Sequence, residues 1–152
     1  FAQTPHLHLF IYCKVEDEVR RAYQKELALR NIHYIYHYQI GPLRPILKRI
    51  LRKINFTITA PINTGIGTAF LGSTGLGLIP VGYVDIEASE SSSVLADTPT
   101  IDSLVDCVVR ASQKSVEWCR RASQETLVRF HRLHTPAVFG ANFKMLLDRL
   151  GL

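Results

Sequence analysis

The sequence predicts a mainly α-helical chain with one transmembrane helix at about residues 61–79, amphipathic helices flanking it and a helical hairpin at the C-terminus. Three observations lead there. No charged side chain stands between Lys53 and Asp85. Apolar residues recur at three and four positions through much of the remaining chain, the period of a helix with one buried face. Small residues inside the uncharged stretch fall four apart, a spacing that lets helix backbones approach closely in a bilayer. The chain then divides into a basic helical region over 1–53, a glycine-rich membrane segment over 54–84, a linker over 85–100 and a helical region over 101–152.

Residues 6–13 alternate His6, His8 and Phe10 with Leu7, Leu9 and Ile11, which permits a short strand or an extended terminal arm. Over 14–30, Val15, Val19, Ala22, Tyr23 and Leu27 make one apolar stripe, and Glu16, Asp17 and Glu18 suit the positive end of a helix dipole. Residues 31–40 alternate Ile32, Tyr34, Tyr36, Tyr38 and Ile40 with His33, Ile35, His37 and Gln39, compatible with helix or strand, and Gly41-Pro42 closes them. Over 45–54 a face of Ile46, Leu47, Ile50, Leu51 and Ile54 opposes Lys48, Arg49, Arg52 and Lys53. A basic face opposite an aliphatic one suits a helix lying on an anionic lipid surface, where each cation adds roughly 1 kcal/mol of attraction. Taken alone, the segment better suits a soluble helix with a solvated charged face.

Pro61 and Pro80 bracket a segment whose helix would be roughly 28 Å long, close to the hydrocarbon thickness of a bilayer. Gly65, Ala69, Ser73 and Gly77 form one row of small residues, with Thr64, Thr68 and Gly72 beside it. Its seven large apolar residues favour insertion by only about 3 kcal/mol together. Such a helix needs neighbouring helices around it, so the expected partners are other subunits of a membrane protein complex, together with anionic lipid.

Two other readings compete for this segment. Residues 55–60 alternate like a strand, and glycine-rich backbone after a strand can cradle phosphate. Yet Phe70 stands where a dinucleotide fingerprint wants Gly or Ala, and no Gly-Lys-Ser/Thr follows. The third reading is a structural segment of a soluble domain built from short strands and glycine turns.

The stretch 85–100 is acidic and serine-rich, as an exposed linker would be. Thr98-Pro99 then signals a helix start, and a long helix, broken once at most, is expected to about Leu133. Ile101, Leu104, Val105, Val108, Cys119, Ala122 and Phe130 are its expected buried face. Thr135-Pro136 repeats the start signal for a terminal helix ending near Leu150, with Gly151 as a stop.

The net charge of +5 is uneven: residues 1–53 hold ten Lys/Arg and four Asp/Glu, while 85–152 hold eight and nine. By the positive-inside rule the N-terminal half faces the matrix or cytoplasm. Cys13, Cys107 and Cys119 are odd in number and far apart, which favours a reducing compartment over a disulfide framework. The start at Phe1 agrees with a processed mitochondrial precursor or a trimmed chain.

Candidate chemistry is sparse. His33 with His37, and His131 with His134, are pairs without the further ligands a metal site needs. Tyr23, Tyr34, Tyr36 and Tyr38 with His33, His37 and nearby cations suit base stacking on RNA or a membrane-interface belt, but a packed aromatic face is the simpler reading and the one favoured. Arg120 and Arg121 follow Cys119 directly and can lower a thiol pKa, but no histidine base is near in sequence. No nucleophile elbow, zincin motif or paired carboxylates are present, and no cofactor is implied. The expectation is a non-catalytic accessory subunit of a mitochondrial inner-membrane energy-converting complex, respiratory chain or ATP synthase, with the matrix side holding residues 1–53. An organellar ribosomal or RNA-binding subunit is the alternative.

Overall fold

The structure is a computed structural model and describes residues 6–12, 15–35, 49–59, 68–83 and 89–150. The chain forms two compact units, Phe1–Lys53 and Ile54–Leu152. Each carries a parallel sheet, so the fold is α/β and not the mainly α arrangement expected.

In the first unit, β1 (Leu9–Tyr12) and β2 (Ile32–Ile35) pair in parallel, with Leu9 opposite Ile32 and Phe10 opposite His33. Parallel pairing requires a crossover, which α1 (Asp17–Ala22) and α2 (Gln24–Leu27) supply. They replace the single helix expected over 14–30, because Tyr23 leaves helical geometry at φ −111° and ψ 26°. The Leu9 N–H donates to the Asn31 carbonyl, and the buried Asn31 amide donates to Leu7 O at 2.9 Å, which closes the end of the strand pair. Residues 49–51 form a single helical turn, with Arg49, Arg52 and Lys53 exposed. Lys48 lies outside the described residues.

In the second unit, β3 (Phe56–Thr59), β4 (Ile79–Gly82) and β5 (Val94–Leu95) form a parallel sheet in that order. The short helix α3 (Thr68–Thr74) lies between β3 and β4 in the chain. Then follow α4 (Ile101–Ser112), α5 (Val116–Leu133) and α6 (Pro136–Leu150). The central strand is buried throughout, as a parallel strand covered on both faces should be. Val81, Val94, Cys107 and Ala111 make the core, with Phe56, Ala96, Val108 and Trp118 packed against it.

The 61–79 transmembrane helix is therefore corrected. Residues 61–67 lie outside the described ones, α3 ends at Thr74, and residue 79 already belongs to β4. The reason is a glycine stop. The Leu78 N–H bonds back to Ser73 O at 3.1 Å and the Gly77 N–H to Thr74 O at 2.9 Å, with Gly77 at φ +78°. These two bonds and a left-handed glycine are a Schellman motif, which satisfies the last carbonyls and turns the chain out of the helix. Among the described residues no helix is long and apolar enough to cross a membrane.

The C-terminal helices follow their start signals closely. Thr100 Oγ1 accepts from the Ser103 N–H and caps α4. Ser115 Oγ accepts from the Trp118 N–H at 3.1 Å and caps α5, so the expected long helix is broken once. The buried stripe differs from the expected one. Of the expected face Ala122 is buried, Leu104, Val108, Cys119 and Phe130 are half-buried, and Ile101 and Val105 are exposed; Cys107, Ala111 and Thr126 are buried without having been expected.

A candidate interaction surface on the terminal helix

The helix α6 is assembled from ordinary local signals. Pro136 occupies its first position, where a missing N–H costs nothing and φ is already helical. The Val138 N–H reaches Thr135 Oγ1 at 3.4 Å, and the Phe139 N–H bonds to Thr135 O at 2.9 Å. Just before it, the His134 N–H closes α5 onto Phe130 O at 2.8 Å. The Phe130 ring holds that corner: it lies 5.8 Å from the His131 ring and 5.9 Å from the His134 ring, and packs against the end of α3 at Gly75.

Having been placed there, α6 buries none of its residues. Phe139, Phe143, Leu146 and Leu150 remain 70%, 50%, 51% and 63% exposed. Their spacing of four, three and four puts them on one line along the helix. The rings of Phe139 and Phe143 already stack on each other, 6.0 Å apart and 7° from parallel. Asn142 and Arg149 border the line on one side, and Gly140 and Leu147 on the other. Full burial of a large apolar side chain is worth roughly 1.5–3 kcal/mol, so four of them half-exposed or more retain several kcal/mol for an association. Scattered exposed apolar residues are common, but a continuous line on a helix with no buried face of its own marks a contact surface.

The residues expected to form a helix-packing row are separated by the fold. Thr64 and Gly65 lie outside the described residues, and Thr68 and Ala69 open α3. Gly72 faces open space, with no atom within 4 Å of where a Cβ would sit. Ser73 turns its hydroxyl to Phe70 O at 2.8 Å and to Thr57 Oγ1 at 3.2 Å. Gly77 is buried beyond the helix end, close to Ser123 and Leu127. The row therefore does not continue along one helix.

Other candidate groups are also placed. His33 pairs across the strands with His8, Nε2 to Nδ1 at 2.9 Å, and Phe10 stacks on His33 at 4.5 Å. This strand geometry takes the place of the helical His33–His37 pairing considered from sequence, and His37 lies outside the described residues. Among the described residues no three His, Cys, Asp or Glu side chains gather as metal ligands would. Strand β3 and helix α3 stand in the order a phosphate loop requires, but the departures at Phe70 and in the missing lysine remain. Cys107 is fully buried and receives Arg110 Nη2 at 3.2 Å. Burial pushes its thiol up, partly opposed by the Arg110 guanidinium. Burial likewise pushes the Cys119 thiol up, opposed by Lys114 and not lowered by Arg120 or Arg121.

Sequence reasoning found α6 but not its surface. The signal was present in the four-three-four spacing of Phe139, Phe143, Leu146 and Leu150. It passes unnoticed because a helix apolar on one side reads as a core helix until its exposure is known. No protein-family model matches the chain, and no curated protein is similar enough to count as a relative.

Proposed function

We propose that this chain is a non-catalytic accessory subunit that joins a larger protein assembly through the exposed apolar line of α6. The observation that carries the reading is the coexistence of two features in one unit. The sheet, α4 and α5 share a core of Val81, Val94, Cys107 and Ala111, so the unit does not need α6 in order to bury its own apolar surface. Yet α6 is capped, ordered as helix, and carries Phe139, Phe143, Leu146 and Leu150 into solvent. The mitochondrial inner-membrane setting lost the observation that carried it when the spanning helix gave way to α3 and β4, so the proposal is confined to the assembly role.

The test is the size of the tagged chain in extracts of its own cells. The full chain should elute well above its monomer size of 17.2 kDa. Phe143→Glu should release it, because a carboxylate in a desolvated apolar contact costs several kcal/mol. An unchanged elution of this variant, with its circular dichroism intact, would remove α6 from the assembly contact and the reading with it.

A further inference from the structure

The apolar line of α6 has an internal symmetry. Phe139 and Leu150 are its ends, and Phe143 and Leu146 its middle. Reversing the helix end for end maps each phenylalanine onto a leucine. Both flanks map onto themselves as well: Asn142 and Arg149 on one, Gly140 and Leu147 on the other. We infer that the partner of α6 is a second copy of this chain, its α6 antiparallel about a two-fold axis near residues 144–145. This rests on the assembly reading and names the occupant of the same surface.

The pairing follows from the wheel positions. Phe139 meets the second copy's Leu150, and Phe143 meets its Leu146, so each layer holds one ring and one smaller side chain. In a parallel pair the two Phe139 side chains would crowd one end and the two Leu150 side chains would underfill the other. Antiparallel helices also bring like flanks together. The Arg149 guanidinium then lies beside the Asn142 amide, which can accept its hydrogen bond, and Leu147 covers the space beside Gly140, around which no atom lies within 4 Å of a Cβ position. A parallel pair would instead set Arg149 against the apolar flank. The two helix dipoles oppose each other as well, which is the favourable arrangement. With one helix of 15 residues per copy, the contact is at the small end of specific interfaces, under about 1,200 Å² in total, so the dimer exchanges with monomer.

Sedimentation of the purified full chain over a concentration series tests this. The wild type should pass from monomer to dimer. Phe143→Glu and Leu146→Lys should each weaken the dimer at least tenfold, with unchanged circular dichroism because α6 buries nothing. Mixing these two variants should restore a heterodimer, since each opposite pair then meets once. Direction is read by cross-linking, with Cys13 and Cys119 replaced by serine. F139C mixed with L150C should oxidise to a mixed disulfide, and F139C alone should not. Efficient cross-linking of F139C to itself would overturn the antiparallel pairing. A wild type that stays monomeric would overturn the second copy as partner. If that monomer still enters a larger particle in extracts and Phe143→Glu releases it, the assembly reading survives without the dimer. If it enters none, both fall. Flotation of the monomer with phosphatidylserine-containing vesicles, lost in Phe143→Glu, would give the surface to lipid and overturn the proposal.

Discussion

Gly82 stands where three elements meet, at φ +118°, with Thr59 O against the place a Cβ would take and Leu104 Cδ1 2.8 Å from it. Gly82→Ala combines a strained backbone with a clash against a strand carbonyl, and should cost roughly 2–5 kcal/mol in urea unfolding. Gly72→Ala, on the open side of α3, should instead be neutral or stabilise by about 0.5–1 kcal/mol. Equal effects at both positions would contradict the packing. Cys107 gives a pH-dependent counterpart. Burial holds its thiol above the ordinary range in the folded chain, while Arg110 partly opposes and Asp106 and Asp97 reinforce the shift. The unfolded chain ionises this thiol at its ordinary, lower value. Its contribution is therefore complete below that pH and declines as pH rises through the folded value. Urea midpoints measured from pH 7.5 to 10 should fall less steeply for Cys107→Ala than for the wild type. Parallel slopes would show that the thiol ionises alike in both states.

The helices after residue 100 announce themselves in the sequence; of the strands, β1 and β3 show as alternation over 6–13 and 55–60, β2 stays open between helix and strand, and β4 and β5 do not show. Thr100, Ser115 and Thr135 each precede a run with helical periodicity, and each cap is formed through a side-chain oxygen. Thr100→Ala and Ser115→Ala should each cost about 1 kcal/mol, read as a lower urea midpoint with unchanged slope. A slope change would mean that the helix ends are not where the caps place them. The central strand β4 was hidden by Pro80, a residue that argues against an interior strand. Its tolerance has a local cause. Ile79 donates to Asn55 O on the β3 side, so the nitrogen of Pro80 points the other way, and β5 begins its pairing only at Val81. No ladder bond is lost there. The same stretch misread as a membrane helix because absence of charge does not separate lipid from a buried parallel strand, and only the glycine stop at Gly77 decided between them.

The second unit reaches a covered core without its last helix, and that is what makes α6 a surface and not a support. Val81, Val94, Cys107 and Ala111 close between the sheet, α4 and α5, and Thr126 ties α5 to the serine-rich turn by donating to Ser92 O at 3.4 Å. Ser91 adds a 2.6 Å hydrogen bond to Glu125 from the same turn. Neither core nor turn draws on α6. A chain ending at His134 should therefore unfold within a few degrees of the full-length protein, since no buried side chain is removed. It should also lose self-association entirely, because the whole apolar line has gone. The driving force separates this from a nucleic-acid role. An apolar contact with one polar flank changes little between 50 and 500 mM salt, whereas phosphate binding by the chain's excess of Lys and Arg would weaken by orders of magnitude. A shortened chain that unfolds far earlier would make α6 a structural helix, and its exposed phenylalanines would then need another account.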